Sequence, residues 1–356
     1  MGDRVPVAVL GATGLVGQRF VSLLERHPWF ELRAVAASEA RAGKRYGETV
    51  EWVIDAPFPG EAAGLVMRRP RPEEFRDVEV VFVALPKEVA GPIELELARM
   101  GKIVVSNANV FRMEPDVPLL NPEANWEHIR LVEEQRRRRG WRGAILKVPN
   151  CTTAVLTLSL KPLLDAYGLR RVFMTSMQAI SGAGFRGVPG YAIVDNILPF
   201  IRGEEEKVAR ESRKILGRLE GGEVKPLEVD VVATTTRVPV LDGHLESVVA
   251  FLEKRPGGVE EVYRVWEEWR SRPQELGLPT APEAPVVVRR EPDRPQPRLD
   301  RMAGRGMSVS VGRAALPLEG EPVLRYLVLG HNTVRGAAGT GVLIAELYYK
   351  VVEQVF

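Results

Sequence analysis

The sequence predicts an α/β protein of two domains, a doubly wound parallel sheet followed by an α+β domain. In the first half short apolar strands alternate with helices, whereas in the second half strands follow one another with few helices between them. A chain of 356 residues is also too long to fold around a single hydrophobic core of ordinary size. We expect the first domain at residues 1–150, completed by a C-terminal helix within 333–356, and the second at 151–332.

The first half has the rhythm of βαβ units. The predicted elements are strand 5–10, helix 14–26, strand 32–37, strand 78–84, helix 93–100 and strand 102–106. A further strand leads to a helix that starts near Cys151. Parallel strands joined by crossover helices form a doubly wound sheet.

The second half predicts a largely antiparallel or mixed sheet. Its strand candidates are 171–178, 229–238, 245–253, 285–289, 307–313 and 324–329, with one helix at 260–271. The proline-dense stretch 279–297 predicts extended chain over a surface, suited to a subunit interface. Small residues and then a strong apolar pattern predict a final helix over 336–356.

Composition excludes several classes of function. Lys and Arg number 49 against 47 Asp and Glu, a net charge of +2, so no basic field indicates nucleic acid. No apolar run is long enough to span a bilayer, and the N-terminus lacks a signal-peptide pattern. A single cysteine excludes an intrachain disulfide framework and suits a reducing, cytoplasmic compartment. We expect no metal cofactor.

A glycine-rich turn follows the first strand and opens the first helix. This is the context of a Rossmann dinucleotide fingerprint, in which the diphosphate rests on the helix N-terminus. The predicted cofactor contacts here are Gly11, Thr13, Gly14, Leu15 and Val16.

The end of the second strand bears on the choice between NAD and NADP. Ser38, followed by the cations Arg41 and Lys44, suits a 2′-phosphate and therefore NADP. Glu39 leaves NAD open, and the two cations could also be solvated loop charges.

Cys151 is the one thiol of the chain and stands at a predicted helix start. The helix amides and dipole would stabilise a thiolate there. A lone cysteine is more often a small buried hydrophobe, so the rest of the sequence decides. His244 lies in a turn between two strand candidates, where an imidazole could project into a cleft.

Together these motifs resemble the archaeal and fungal branch of the aspartate-semialdehyde dehydrogenases, nearly end to end. The motifs that carry the resemblance are the turn at Gly11, residues 150–153 (NCTT), 181–184 (SGAG), 237–244 (RVPVLDGH), 294–298 (RPQPR) and 330–336 (GHNTVRG). The resemblance implies a C-terminal domain like that of glyceraldehyde-3-phosphate dehydrogenase and a homodimer or homotetramer. It also implies NADP-dependent reductive dephosphorylation of L-4-aspartyl phosphate to L-aspartate 4-semialdehyde through a cysteine thioester. This reaction belongs to lysine, threonine, methionine and isoleucine biosynthesis.

The resemblance also implies roles for individual residues. Cys151 would be the nucleophile, His244 the acid/base, and Gln178 would orient the substrate. The implied substrate and phosphate contacts are Arg112, Asn150, Glu204, Lys207 and Arg237, with Arg237 on the substrate carboxylate and Glu204 on its ammonium group. The implied nicotinamide contacts are Ser181, Gly182 and Asn332.

Each role has a structural alternative. The charged run from Glu204 to Lys207 could be a solvated helix face. Arg237 could bridge carboxylates at a domain interface, and Gln178 could satisfy backbone groups at a strand end.

Three rival functions share part of the pattern. Malonyl-CoA reductase resembles the same branch, but Asn150 and the residues 242–244 favour the phosphate enzyme. N-acetyl-glutamyl-phosphate reductase shares the acyl-phosphate chemistry more distantly. A regulatory protein with an inactive dinucleotide site would not need Cys151, Gln178, Arg237 and His244 together.

Overall fold

The computed structural model describes residues 4–356, and residues 1–3 of the predicted first domain lie outside the described part. Thirteen strands are present in this part: β1 (Val5–Leu10), β2 (Phe30–Ala36), β3 (Val80–Val83), β4 (Ile103–Ser106), β5 (Ala144–Lys147), β6 (Leu169–Gln178), β7 (Arg218–Glu220), β8 (Glu223–Lys225), β9 (Asp230–Arg237), β10 (His244–Leu252), β11 (Val286–Arg289), β12 (Val309–Ala315) and β13 (Val323–Gly330).

The α-helices of the same part vary from one turn to seventeen residues. They are α1 (Leu15–Leu24), α2 (Tyr46–Thr49), α3 (Gly60–Ala63), α4 (Lys87–Arg99), α5 (Pro122–Asn125), α6 (Leu131–Arg139), α7 (Cys151–Tyr167), α8 (Gly190–Ile193), α9 (Glu204–Ile215), α10 (Val259–Glu268), α11 (Arg272–Glu275), α12 (Pro297–Asp300) and α13 (Gly339–Tyr348).

The first sheet has five parallel strands in the order β2-β1-β3-β4-β5. Its strands are continuous apolar runs because helices cover both faces of the sheet. The strand order reverses between β1 and β3, and the crevice at such a point is where doubly wound sheets bind ligands. β5 is the strand expected ahead of Cys151.

The second sheet has six strands in the order β11-β12-β13-β10-β6-β9 and is mixed, as predicted. β10 runs antiparallel to both β6 and β13, whereas β9 runs parallel to β6. Buried and half-buried residues alternate along β10, so His244 and Glu246 point toward the covered face. Apolar residues of α7 and α10 share the buried cluster on that face.

Two predicted helices differ from the structure. The helix predicted at 93–100 starts earlier, at Lys87, because Pro92 lies inside α4 and removes only one backbone donor. The final helix is α-helical only over Gly339–Tyr348 and is flanked by wider π-helical turns at Val334–Ala338 and Tyr349–Glu353. Its side chains share a buried cluster with β1, so it packs against the first sheet. Within residues 4–356, no helix is both long and apolar enough to cross a membrane.

Candidate active site

Cys151 is the first residue of α7, and Asn150 caps that helix. The Asn150 side-chain oxygen accepts hydrogen bonds from the backbone amides of Thr152 (3.0 Å) and Thr153 (3.2 Å). An asparagine at this position satisfies amides that the helix cannot pair itself. The cap therefore fixes the start of the helix and, with it, the position of the sulfur.

The electrostatic state of the sulfur differs from the sequence expectation. Burial raises the pKa of the Cys151 thiol to about 12, and the nearby Glu204 carboxylate acts in the same direction. Arg237 and the Thr152 amide oppose this rise but do not overcome it. The protein without ligands therefore holds a thiol and not the stabilised thiolate expected from the helix end alone.

His244 is the partner of the thiol. Its Nε2 lies 3.2 Å from the Cys151 Sγ, and its Nδ1 accepts a hydrogen bond from the Ala179 backbone amide at 3.1 Å. Because Nδ1 accepts, the neutral ring carries its proton on Nε2, which points at the sulfur. Burial and the Arg237 charge lower the pKa of His244 well below 6.5, so the ring is neutral.

Gln178 and Arg237 lie side by side at the ends of β6 and β9. The Gln178 amide nitrogen donates to the Ser176 hydroxyl at 3.1 Å. The Arg237 Nη1 donates to the Ala179 carbonyl at 2.8 Å, and a Cβ at Gly182 would lie only 2.6 Å from this nitrogen. A glycine at position 182 thus leaves room for the guanidinium.

Arg237 is buried but has no carboxylate partner. Its relative exposure is 7%, and among residues 4–356 no carboxylate lies within 4.0 Å of its nitrogens. A buried cation is normally paired, because leaving it unpaired costs several kcal/mol. This favours an anionic ligand over the alternative of a structural bridge between carboxylates.

The Glu204 carboxylate contacts several of the other predicted site residues. It accepts from the Asn150 side-chain amide (2.8 Å) and from the Gln178 side chain (3.4 Å), and Lys207 Nζ lies 3.6 Å away. Glu204 is buried and Lys207 is half-buried on the next turn of α9. The start of α9 therefore packs against Asn150 and Gln178 and is not a fully solvated helix face.

Arg112 sits on the other side of Asn150. Its Nη1 donates to a Glu211 oxygen at 2.8 Å, and its Nη2 donates to the Asn107 carbonyl at 2.8 Å. Its Nε is buried and has no hydrogen-bond partner within residues 4–356. The two Nη atoms of Arg112 are thus occupied, while its Nε remains available to a ligand.

The predicted cofactor turn lies between β1 and α1. Gly11 has a φ of +80°, and a Cβ there would lie 2.4 Å from the Ala84 carbonyl oxygen, so only glycine fits. Thr13 accepts a hydrogen bond from Gln18 through its carbonyl. No side chain caps α1 at Gly14, which leaves the first amides of this helix available to an anion.

The turn and the thiol share one cleft with a volume of 350 Å³. The predicted site residues that line it are Gly14, Leu15, Val16, Arg112, Asn150, Cys151, Ser181, Gly182 and Asn332. Asn332 accepts from the Gly243 amide (2.8 Å) and donates to the Ser181 hydroxyl (2.8 Å). It thereby ties the loop before His244 to the cleft wall.

Ser38 and Arg41 are not part of this lining. Ser38 is exposed just after β2, and Arg41 ends the short helical turn Glu39–Arg41. The Glu39 carboxylate forms ion pairs with Arg69 (3.3 Å) and Arg71 (3.0 Å). These two arginines neutralise the Glu39 carboxylate. Glu39 is therefore a weaker argument for NAD, whose ribose hydroxyl it would otherwise bind.

Sequence reasoning missed Asn107 and Glu211. Asn107 follows β4 and lines the cleft, and neither polar atom of its side chain has a partner among the described residues. Its place at the carboxyl end of a parallel strand was a usable signal. Glu211 gave no comparable signal, because its partner Arg112 is 99 residues away in the sequence.

One cluster beside the cleft has the residue types of a metal site. Asp55, Asp242 and His331 place one ligand atom each within 4.8 Å of one another. Arg19 pairs with both carboxylates, and Arg301 lies 3.6 Å from Asp55. With two guanidinium groups present, the cluster is an ion-pair network and not a centre that attracts a cation.

The chain matches two family models. Residues 6–132 match the semialdehyde dehydrogenase NAD binding domain, and residues 160–335 match the semialdehyde dehydrogenase dimerisation domain. The fold is accordingly a Rossmann-like domain followed by a mixed-sheet dimerisation domain.

Similar proteins agree with this match over nearly their whole length. The aspartate-semialdehyde dehydrogenase of Archaeoglobus fulgidus is 51% identical, with 98% of each chain covered. The crystal structure of the Candida albicans enzyme with NADP has a TM-score of 0.88 and 42% identity, covering 97% of this chain and 98% of that one. The malonyl-CoA reductase (NADP) of Metallosphaera sedula is 40% identical, over 98% of this chain and 97% of that protein. This chain belongs to the aspartate-semialdehyde dehydrogenase family.

Proposed function

We propose that this enzyme interconverts L-aspartate 4-semialdehyde and L-4-aspartyl phosphate, with NADP as the hydride carrier and inorganic phosphate as acyl acceptor. The observation that carries the proposal is the unpaired, buried Arg237 beside the Cys151–His244 pair. Glu204 supplies a buried carboxylate whose charge also acts on the Cys151 sulfur. One cation and one anion flanking a thiol suit a substrate that carries both a carboxylate and an ammonium group.

The residues of the cleft fit NADP. The uncapped amides of α1, with Gly14, Leu15 and Val16, would hold the diphosphate. Ser38 and Arg41 would hold the 2′-phosphate, and Ser181, Gly182 and Asn332 would lie at the nicotinamide end. When bound, NADP accepts a hydride from the substrate carbon.

In the oxidative direction, the Cys151 sulfur attacks the aldehyde carbon and forms a C–S bond. The thiol is protonated in the free protein and His244 Nε2 already carries a proton, so the thiol proton passes to solvent as the C–S bond forms. His244 then donates Nε2–H, first to the sulfur and then to the oxyanion, a donor role that fits its tautomer. Loss of the hydride leaves an acyl thioester on Cys151, and one proton passes to solvent overall.

Phosphate completes the reaction on the Arg112 side of the cleft. An oxygen of hydrogen phosphate attacks the thioester carbon, the C–S bond breaks, and Cys151 leaves as a thiolate that takes up the phosphate proton to restore the thiol. Among residues 4–356, the buried Arg112 Nε and the Asn107 side-chain amide have no hydrogen-bond partner there and can donate to phosphate. This arrangement favours phosphate over coenzyme A as the acyl acceptor.

The decisive test is a pair of assays on the purified protein. We expect NADPH formation from L-aspartate 4-semialdehyde that requires phosphate and disappears in Cys151→Ala, with an unchanged unfolding curve. Glu206→Gln, an exposed change on α9, serves as the control and should keep full activity. NADPH oxidation that requires malonyl-CoA and ignores aspartyl phosphate would show the proposal to be wrong.

The second sheet also presents a face for self-association into a homodimer or homotetramer. On the side away from α7, Phe173 is 39% exposed and Val232 is 48% exposed, and the matched family model is a dimerisation domain. Apolar side chains in a row on an open sheet mark an interface. Sedimentation of Phe173→Lys combined with Val232→Lys should show a shift to monomers; an unchanged mass would exclude this face.

We further propose the domain boundary at residue 150, with the helix α13 completing the first domain.

A catalytic thiol that must stay reduced suits a cytoplasmic location.

A further inference from the structure

Glu211 touches two predicted parts of the phosphate site at once. One carboxylate oxygen accepts from the Arg112 Nη1 at 2.8 Å, and the other accepts from the Asn150 backbone amide at 2.7 Å. Glu211 is 3% exposed, and the Arg112 side chain is 7% exposed. The pair is therefore desolvated, and neither charge can be left alone without a large cost.

The backbone that carries Arg112 is fixed by the same helix. Lys214, one turn beyond Glu211 on α9, donates to the carbonyls of Arg112 (2.8 Å), Glu114 (2.8 Å) and Val117 (2.9 Å). Because this loop is held at three points, an anion that arrives at Arg112 meets a guanidinium in a fixed place. What can change is the partner of the guanidinium and not the loop.

A second anion at Arg112 would meet both an available donor and a resident negative charge. The Arg112 Nε is buried without a partner in the described part of the chain, so a phosphate oxygen has a hydrogen bond to gain there. The Glu211 carboxylate, on the same guanidinium, repels a phosphate dianion in a region of low dielectric. The two effects oppose each other, and Glu211 determines the balance.

We propose that Glu211 is a positioning residue and the resident counterion of Arg112, which keeps phosphate binding weak. The carboxylate orients the guanidinium in the absence of ligand and competes with phosphate when it is present. Weak binding at this subsite allows phosphate to enter and the acyl phosphate to leave. The inference rests on the proposed function for the identity of the anion.

The test is Glu211→Gln, which keeps the size of the side chain. Its amide oxygen can still accept from the Asn150 amide, but its NH₂ group cannot pair with Arg112. The buried guanidinium then lacks a counterion, so phosphate takes that place. Calorimetric titration with inorganic phosphate should show binding roughly tenfold tighter than in the wild type, or about 1.4 kcal/mol. The KM for phosphate should fall while the KM for the semialdehyde stays within about twofold of the wild type.

A merely structural role predicts the opposite sign. If Glu211 only supports the fold, Glu211→Gln loosens Arg112 and phosphate binds more weakly; unchanged or weaker binding overturns the proposal. Glu211→Asp keeps the charge and should return phosphate affinity toward the wild-type value. Glu206→Gln removes an exposed charge of the same helix, and an equal tightening there would overturn the specific role of Glu211.

The proposal can also be tested if Glu211→Gln fails to fold. If Glu211→Gln does not fold in chloride buffer, inorganic phosphate at equal ionic strength should restore folding by replacing the counterion, and no rescue overturns the proposal. Failure of the proposed function is visible separately, because wild-type protein would then show no phosphate-dependent NADPH formation whatever the phosphate affinity of Glu211→Gln.

Discussion

Buried charges at the first sheet differ from those at the second sheet. Lys147 and Glu94, both fully buried, pair through two hydrogen bonds of 2.8 and 3.0 Å, and Lys147 also donates to the Ser106 hydroxyl. In the second sheet, Arg237 has no carboxylate partner and neither Glu246 oxygen has any partner among the described residues. The charges of Lys147 and Glu94 are thus neutralised within the protein, whereas Arg237 and Glu246 have no partner of opposite charge among the described residues.

This difference separates stability from function. A buried polar group costs free energy unless it is paired, so unpaired groups persist only where something else requires them. Around Arg237 a ligand can supply the missing partner. The comparison predicts that substitutions in the two groups change stability in opposite directions.

The largest effect is expected in the paired group. Lys147→Met leaves the Glu94 carboxylate buried without its cation, which should cost about 3–5 kcal/mol of unfolding free energy. Urea unfolding would measure this loss. Adding Glu94→Leu removes the stranded charge and should recover most of the stability, and a double variant as unstable as Lys147→Met would contradict this interpretation.

The next largest effect is expected at Arg237. Arg237→Leu removes the proposed carboxylate anchor and should lower kcat/KM on the order of 10²-fold, about 2–3 kcal/mol. Because it also removes an unpaired buried cation, the unfolding free energy should stay the same or rise. Steady-state kinetics and urea unfolding on one preparation provide both values. Arg210→Leu, on the exposed side of α9, is the control, and a destabilised but fully active Arg237→Leu would reverse our assignment.

The sequence predicted all six strands of the second sheet to within two residues at each end. Alternation along β10, for example, is a local pattern that marks the face of each residue. Helix α9 shows where local patterns fail. Charged residues ordinarily face solvent, but Glu204, Glu211 and Lys214 face inward, because their partners belong to segments far away in the sequence.

The identity of the central site residues was predictable from the sequence, but their electrostatic state was not. The resemblance named Cys151 and His244, 93 residues apart, and the structure places their reactive atoms in contact. The state of the thiol was not predictable from its helix position, since desolvation by the folded chain decides its pKa. Glu246 escaped notice for the same reason, because its isolation appears only when the sheet and helix enclose it.

The last prediction concerns Glu246 and is a dependence of stability on pH. It lies two residues after His244 on the covered face of β10, opposite Ser176 on β6. Burial raises the pKa of the Glu246 carboxyl well above its ordinary value of 4.5, and the Glu204 charge adds to this rise. The folded protein therefore holds the proton at a pH where the unfolded chain has released it.

The sign of the effect follows from this difference. The contribution of Glu246 to stability is fully present below the unfolded pKa and is lost as the pH rises through the folded pKa, by up to about 1.4 kcal/mol per pH unit. Glu246→Gln cannot ionise, so its stability relative to the wild type should increase over the pH range above the ordinary carboxyl pKa of 4.5. Urea unfolding across this range tests the prediction, with the exposed Glu206→Gln as the control that should show no such trend. If the difference between wild type and Glu246→Gln is constant with pH, then Glu246 is not a buried neutral acid and must have a partner such as internal water that stabilises its charge.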